Sequence, residues 1–213
     1  MLNFFKYAQE NWDNPAGQLH TYLLPGTNFA ELAQPYLGIL QESSVCAAQP
    51  NDSFHATIQR LPFFADDKEI CDRIPAFGKE LRKHFAKWPI PEINFSYPEV
   101  TKDSVLCFAT KDSGWTEFVD GVRKCSVNIF GEEASHFEGV PRAHLTLGYG
   151  VKDGSSEDLA KAIEAQNVEE KRHRSGAASF YTASLDHVAL VTVHQRPEEG
   201  AYVFSSIAEF YLK

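Results

Sequence analysis

The stretch "SFHATIQR" at residues 53–60 decides the first part of the fold. Its apolar residues alternate with His55, Thr57 and Gln59, and a period of two residues is typical of a half-buried β-strand. The three polar side chains are therefore predicted to share one face of the strand. An apolar stripe at helical spacing follows, which predicts a helix directly after this strand.

The same arrangement returns in "PRAHLTLGYG" at residues 141–150. His144 and Thr146 are predicted to share a strand face, and a helix again follows. Arg142 joins that face if the strand extends so far, and is otherwise a solvated arginine at the strand end. The pattern indicates two similar halves, each with a histidine and a threonine on one strand.

The remaining segments alternate between strand and helix signals. Strands are predicted for "QLHTYLL", "EINFSYPEV" and "SVLCFAT", and a hairpin is predicted around the turn "PEEG" near the end. Four helix starts are predicted from caps and prolines: Thr27 or Asn28 before "FAELAQPYLGILQ", Pro75, Asp112 or Ser113, and Ser155 or Ser156.

Length and charge limit the classes of function. The 213 residues are enough for one α+β domain with a core of its own, and we expect residues 1–213 to form a single domain of two lobes. A net charge of -9 disfavours a protein that coats nucleic acid, although small anions or short RNA ends fit a locally basic groove.

The chain carries no signal for a membrane or an oxidising compartment. Charged residues interrupt the first segment, and no later segment approaches the roughly 20 apolar residues of a membrane span. The four cysteines lie far apart, so we interpret them as reduced packing residues. The sequence predicts a cytoplasmic monomer without a membrane anchor.

The paired motifs suit a phosphate group. Residues two apart on a strand lie roughly 6.5 Å apart, so an imidazole and a hydroxyl can converge on one small group. If both strands line one cleft, one histidine can activate water while the other protonates the leaving oxygen, since imidazole titrates near neutral pH. The threonine hydroxyls would hold the phosphate oxygens, and this chemistry requires no metal ion and no cofactor.

The alternative is that both histidines are ordinary polar residues of exposed strand faces. That reading is the better one for an isolated histidine such as His20, which we expect to be packed or on the surface. Duplication of the motif in two similar contexts favours function for His55 and His144.

The segments "FHATI" and "RAHLTLG" resemble the two signature motifs of the 2H phosphoesterase superfamily, and "GVPRAHLTLGYG" most resembles the 2′,3′-cyclic-nucleotide 3′-phosphodiesterase family. The resemblance implies a bilobal α+β fold in which two antiparallel sheets line a central groove, with helices outside. It also implies metal-independent hydrolysis of a 2′,3′-cyclic phosphate, on a nucleotide or a short RNA 3′ end, to a 2′-phosphate.

Carried over by position, His55 and His144 are the expected catalytic pair, and Thr57 and Thr146 are expected to bind the phosphate. Three further residues are possible substrate contacts: Arg142, Gly139, and Arg60, which replaces an aromatic residue of the family. Two alternatives remain open: an RNA-end phosphodiesterase or ligase-like enzyme that acts on 2′–5′ linkages, and a nucleotide-binding module without catalysis.

Overall fold

A computed structural model describes residues 1–7, 14–110 and 114–213. The elements in chain order are α1 (Phe4–Tyr7), β1 (Gln18–Leu23), α2 (Thr27–Gln41), β2 (Cys46–Ala48), β3 (Ala56–Phe64), α3 (Lys68–Phe85), β4 (Glu92–Phe95), β5 (Glu99–Val100), β6 (Ser104–Phe108), α4 (Trp115–Phe130), β7 (His144–Gly150), α5 (Glu157–His173), β8 (Tyr181–Ser184), β9 (His187–Arg196) and β10 (Ala201–Tyr211).

Two antiparallel four-stranded sheets form the two lobes. The first has the strand order β10-β9-β1-β3, and the second has the order β2-β7-β6-β5. Helices α3 and α4 pack beside the first sheet, while α2 and α5 pack on the second. The predicted class is confirmed: this is an α+β fold with two antiparallel sheets and a histidine motif in each.

The C-terminal hairpin is also confirmed, since β9 and β10 pair across the predicted turn. The segment "EINFSYPEV" does not form the single strand that was predicted. It divides into β4, which pairs with β8 in a separate two-stranded sheet, and β5, which pairs with β6. Pro98 stands between the two pieces, and a proline interrupts a ladder because it has no N–H to donate.

Two helices begin at residues other than the predicted ones, because a different residue occupies the N-cap position. Helix α3 begins at Lys68 rather than near Pro75, because the Asp67 side chain accepts a hydrogen bond from the Ile70 N–H at 3.1 Å. Gly26 precedes α2, so neither Thr27 nor Asn28 caps it.

The remaining caps are as follows. Ser156 precedes α5 without a side-chain cap bond, and the Ser155 hydroxyl instead accepts a hydrogen bond from the Glu157 N–H at 3.4 Å. The predicted caps Asp112 and Ser113 lie outside the described residues.

The two lobes are joined on their inner side by Gln49, which is buried directly after β2. Its amide nitrogen donates to the Gly200 carbonyl at 2.8 Å, and its amide oxygen accepts from the Tyr202 N–H at 3.1 Å. Its own N–H donates to the Leu147 carbonyl of β7 at 2.8 Å. One side chain thus links the second sheet to the hairpin of the first.

A small apolar cluster lies between the sheets, apart from the main core. It contains aromatic residues of α1, β1, β7 and β10 together with valines of β9. None of the helices in the described ranges is sufficiently long and apolar to cross a bilayer.

Candidate active site

The first motif lies at the start of β3, the edge strand of its sheet. His55 directly precedes the strand, and its Nδ1 atom is 2.7 Å from the Ser53 carbonyl oxygen. Thr57 lies two residues on and is half-buried, like His55. The turn before the strand thus holds the imidazole through a hydrogen bond between Nδ1 and a backbone carbonyl.

The second motif is built in the same way at the start of β7. His144 is the first residue of the strand, and its Nδ1 atom is 3.2 Å from the Arg142 carbonyl oxygen. Thr146 is buried on the same strand face, and the Phe108 ring of β6 lies 6.0 Å from the imidazole. Each motif histidine therefore bonds the carbonyl of the residue two positions before it.

These backbone bonds determine the tautomer of both histidines. A carbonyl oxygen only accepts hydrogen bonds, so Nδ1 must carry the hydrogen in each ring. Among the described residues, neither Nε2 atom has a hydrogen-bond partner. A neutral imidazole in this tautomer presents a lone pair at Nε2 and can accept a proton there, while the protonated form can donate one.

Burial favours the neutral form of both imidazoles in the free protein. Loss of hydration lowers the pKa of His55 to about 4, the bond to Ser53 opposes the shift, and the charge of His144 adds to it. Loss of hydration also lowers the pKa of His144, and the Arg142 charge contributes. The two motif histidines are therefore coupled electrostatically, since a charge on His144 disfavours a charge on His55.

The lowered pKa of His55 predicts acid sensitivity. The unfolded chain binds a proton at His55 near pH 6.5 and the folded chain only near pH 4, so stability present above pH 6.5 is lost as the pH falls toward 4. His55 alone accounts for a loss on the order of 3 kcal/mol. Urea unfolding at pH 7 and pH 4 should show a smaller loss for His55→Gln than for the unchanged protein, and equal losses would contradict this assignment.

A β-bulge follows the threonine in both motif strands. Thr57 pairs with Tyr22 but Gln59 pairs with Thr21, so Ile58 is an extra residue on β3. Likewise, Thr146 pairs with Leu106 and Gly148 with Val105, so Leu147 is extra on β7. Each bulge shifts the alternation by one residue.

The bulge in β3 corrects the predicted position of Gln59. Instead of sharing the face of His55, Gln59 is fully buried on the helix side. Its amide donates to the Ala134 carbonyl at 2.6 Å and accepts from the Ser126 hydroxyl at 2.8 Å.

The residue five positions after each histidine takes the place on the inner face: Arg60 in the first motif and Tyr149 in the second. The Arg60 guanidinium lies 4.4 Å above the Phe137 ring. Burial lowers the pKa of His20 on the neighbouring strand, and the charges of His55 and Arg60 add to that effect. Burial raises the pKa of Tyr149 to about 12, and the Thr146 side chain opposes the shift.

Arg142 does not belong to β7, which begins two residues later. It is exposed, with its guanidinium 4.4 Å above the Phe108 ring and its Nε donating to the Ala109 carbonyl at 2.9 Å. Arg142 thus lies outside the strand face of the second motif, and a role for it in binding stays a prediction.

Gly139 packs against α4, where a Cβ would approach the Val119 side chain at 3.1 Å. The contact explains a small residue there, and a role for Gly139 in binding stays a prediction.

Two residues of β1 lie beside the first motif and were not predicted to be part of the site. Tyr22 stacks on His55 with ring centroids 3.8 Å apart, and His20 bonds the Tyr22 hydroxyl at 3.1 Å. His20 is 3% exposed, so its prediction as a packed or surface residue is right about packing but missed its place near the site. The signal lay in "HTY", which places two polar rings on one face of a strand.

Comparison with known proteins identifies the fold. No family model and no curated protein matches the sequence. TT0787 of Thermus thermophilus matches with 15% identity and a TM-score of 0.63, over 92% of this chain and 97% of that one. E. coli LigT, in its complex with 3′-AMP, matches with 10% identity and a TM-score of 0.57, over 92% and 97%. A phosphoesterase matches with 8% identity and a TM-score of 0.57, over 92% of this chain and 98% of that one. These matches show that the chain has the LigT-like, 2H phosphoesterase-like fold.

Proposed function

We propose that this chain is a phosphodiesterase that hydrolyses the 2′,3′-cyclic phosphate of a nucleotide or a short RNA 3′ end to a 2′-phosphate. One observation carries the proposal: two His-x-Thr strands, one from each sheet, each hold an imidazole in the same tautomer, and a charge on His144 lowers the pKa of His55 after the larger effect of burial. Similarity of the fold to a phosphoesterase supports this reaction class.

In the proposed reaction, Nε2 of His144 takes a proton from a water molecule, and the water oxygen bonds to phosphorus. The bond between phosphorus and O3′ breaks, and Nε2 of His55 gives its proton to the departing O3′. His55 must therefore be protonated when substrate is bound. The negative charge of the phosphate next to the imidazole raises its pKa from the low value of the free protein.

The phosphate oxygens are proposed to bind the hydroxyls of Thr57 and Thr146, while Arg60 and Arg142 supply positive charge in an acidic chain. The nucleoside is proposed to extend toward Arg60 or Tyr149, the residues that follow the two bulges. E. coli LigT was solved with 3′-AMP, so a protein of this fold accommodates a nucleotide.

The test is incubation with 2′,3′-cyclic AMP in EDTA, followed by separation of 2′-AMP from 3′-AMP. We expect 2′-AMP as the product. A 3′-AMP product would contradict the assigned roles of the two histidines, and stabilisation by ligand without turnover would favour the binding module.

A parallel series distinguishes the substrate classes. It compares the cyclic mononucleotide with an oligonucleotide that ends in a cyclic phosphate and with a 2′–5′-linked dinucleotide. Faster cleavage of the 2′–5′ linkage than of either cyclic phosphate would favour the ligase-like alternative.

A further inference from the structure

The first motif is backed by an aromatic side chain from the neighbouring strand. The Tyr22 ring lies parallel to the His55 imidazole, with an interplanar angle of 8° and a centroid distance of 3.8 Å. Phe204 of β10 meets the same imidazole edge-on at 5.5 Å. Tyr22 is 1% exposed, so its ring is held by the surrounding apolar cluster.

Tyr22 also stands beside the other residue of the same motif. Tyr22 is the direct partner of Thr57 across the strand pair, so the two side chains lie on the same face of the sheet. The Tyr22 hydroxyl lies 3.1 Å from Nδ1 of His20. Burial raises the pKa of the phenol well above 10, so the group stays an O–H that donates one hydrogen bond and accepts others.

We propose that Tyr22 is a positioning residue for the first motif, in which its ring sets the plane of the His55 imidazole and its hydroxyl, held by His20, directs the Thr57 hydroxyl. Tyr22 acts through these two residues and not on the substrate, because its ring face and hydroxyl are already occupied by protein groups. The inference rests on the proposed function, since it assigns the part of the site that must aim one histidine and one threonine at the same phosphate.

The second motif lacks this arrangement. Among the described residues, the one aromatic ring near the His144 imidazole is Phe108, 6.0 Å away and inclined by 60°. The first motif is on an edge strand, whereas β7 is held between β2 and β6. An edge strand is paired on one side only, so a neighbouring strand can contact the side chains of β3 only from β1.

A purely apolar role would not require the polar pair. Burying the imidazole of His20 and the hydroxyl of Tyr22 has a desolvation cost that a phenylalanine or leucine in their place would avoid. Their mutual hydrogen bond offsets part of that cost. The polar pair stands on the strand face of Thr57, the direct strand partner of Tyr22.

The experiment uses Tyr22→Phe, which keeps the ring, and Tyr22→Leu, which removes it. In Tyr22→Phe, His55 should keep the ring-current shift of its imidazole C–H signals in NMR spectra, while kcat for 2′,3′-cyclic AMP falls about 10-fold and KM changes little. In Tyr22→Leu, the ring-current shift should disappear and kcat should fall about 100-fold, the size of effect that misplaced catalytic groups produce.

An NMR titration of His55 gives a readout that is independent of turnover. The groups that act on His55, or on its neighbour His20, stay the same in all variants: His144 of β7, His20 of β1 and Arg60 of β3, which acts on His20. Loss of the stacked ring admits water, so the pKa of His55 should rise in Tyr22→Leu but stay low in Tyr22→Phe. If no variant and no unchanged protein turns over any cyclic phosphate, the proposed function fails, while this titration still decides the role of Tyr22.

Tyr36→Phe is the matched control. Tyr36 is fully buried and donates to the Asn167 side chain at 2.9 Å, outside the groove. It should lose stability comparable to Tyr22→Phe, yet keep kcat and the His55 signals. The inference is overturned if Tyr22→Leu leaves the His55 signals and kcat unchanged, or if Tyr22→Phe and Tyr36→Phe lower kcat equally.

Discussion

Replacement of His55 or His144 by alanine is expected to lower kcat/KM for 2′,3′-cyclic AMP by about 1,000-fold, within the range for loss of a general acid or base. Each imidazole presents an Nε2 atom that has no hydrogen-bond partner among the described residues. When the imidazole is removed, a water molecule in the vacated space takes its place. Initial rates of 2′-AMP formation in EDTA measure the loss. Unfolding in urea should show that both variants remain folded.

The double variant distinguishes a cooperating pair from two independent groups. Since one histidine cannot complete the reaction without the other, His55→Ala combined with His144→Ala should lose little more than either single variant. His173→Ala serves as the control because His173 is exposed on α5 and pairs with Glu169. Undiminished activity in both single motif variants would exclude the proposed mechanism.

Replacement of Thr57 or Thr146 by valine should lower kcat by about 100-fold, comparable to loss of one donor to a developing oxyanion. Valine keeps the branched shape, so the change removes the hydroxyl and leaves the packing of each strand intact. KM should change much less than kcat, because the hydroxyls stabilise the charge that develops in the transition state. Steady-state kinetics with the cyclic mononucleotide separates the two constants.

Serine variants provide the rescue. Thr57→Ser and Thr146→Ser keep a hydroxyl and should retain most of the activity that the valine variants lose. Equal losses in the serine and valine variants would show that the methyl group matters and the hydroxyl does not, contrary to a phosphate-binding role.

The sequence predicted elements well where the signal was local. The helix over Thr27–Gln41 and the terminal hairpin are found at the predicted positions. Errors arose where a side chain competed with backbone preference, as when Asp67 extended α3 upstream of Pro75. A proline at helical spacing is compatible with either a first turn or an interior position, and only the cap decides between them.

The sequence by itself determined which side chains share a strand: a period of two residues places His55 with Thr57 and His144 with Thr146, whatever the partners of those strands are. Only the tertiary structure decided what surrounds them. A bulge is a property of two paired strands, so no pattern within one strand shows that Ile58 is extra or that Gln59 turns into the core. The stacking of Tyr22 on His55 likewise depends on pairing between strands that are distant in the sequence, which local periodicity does not encode.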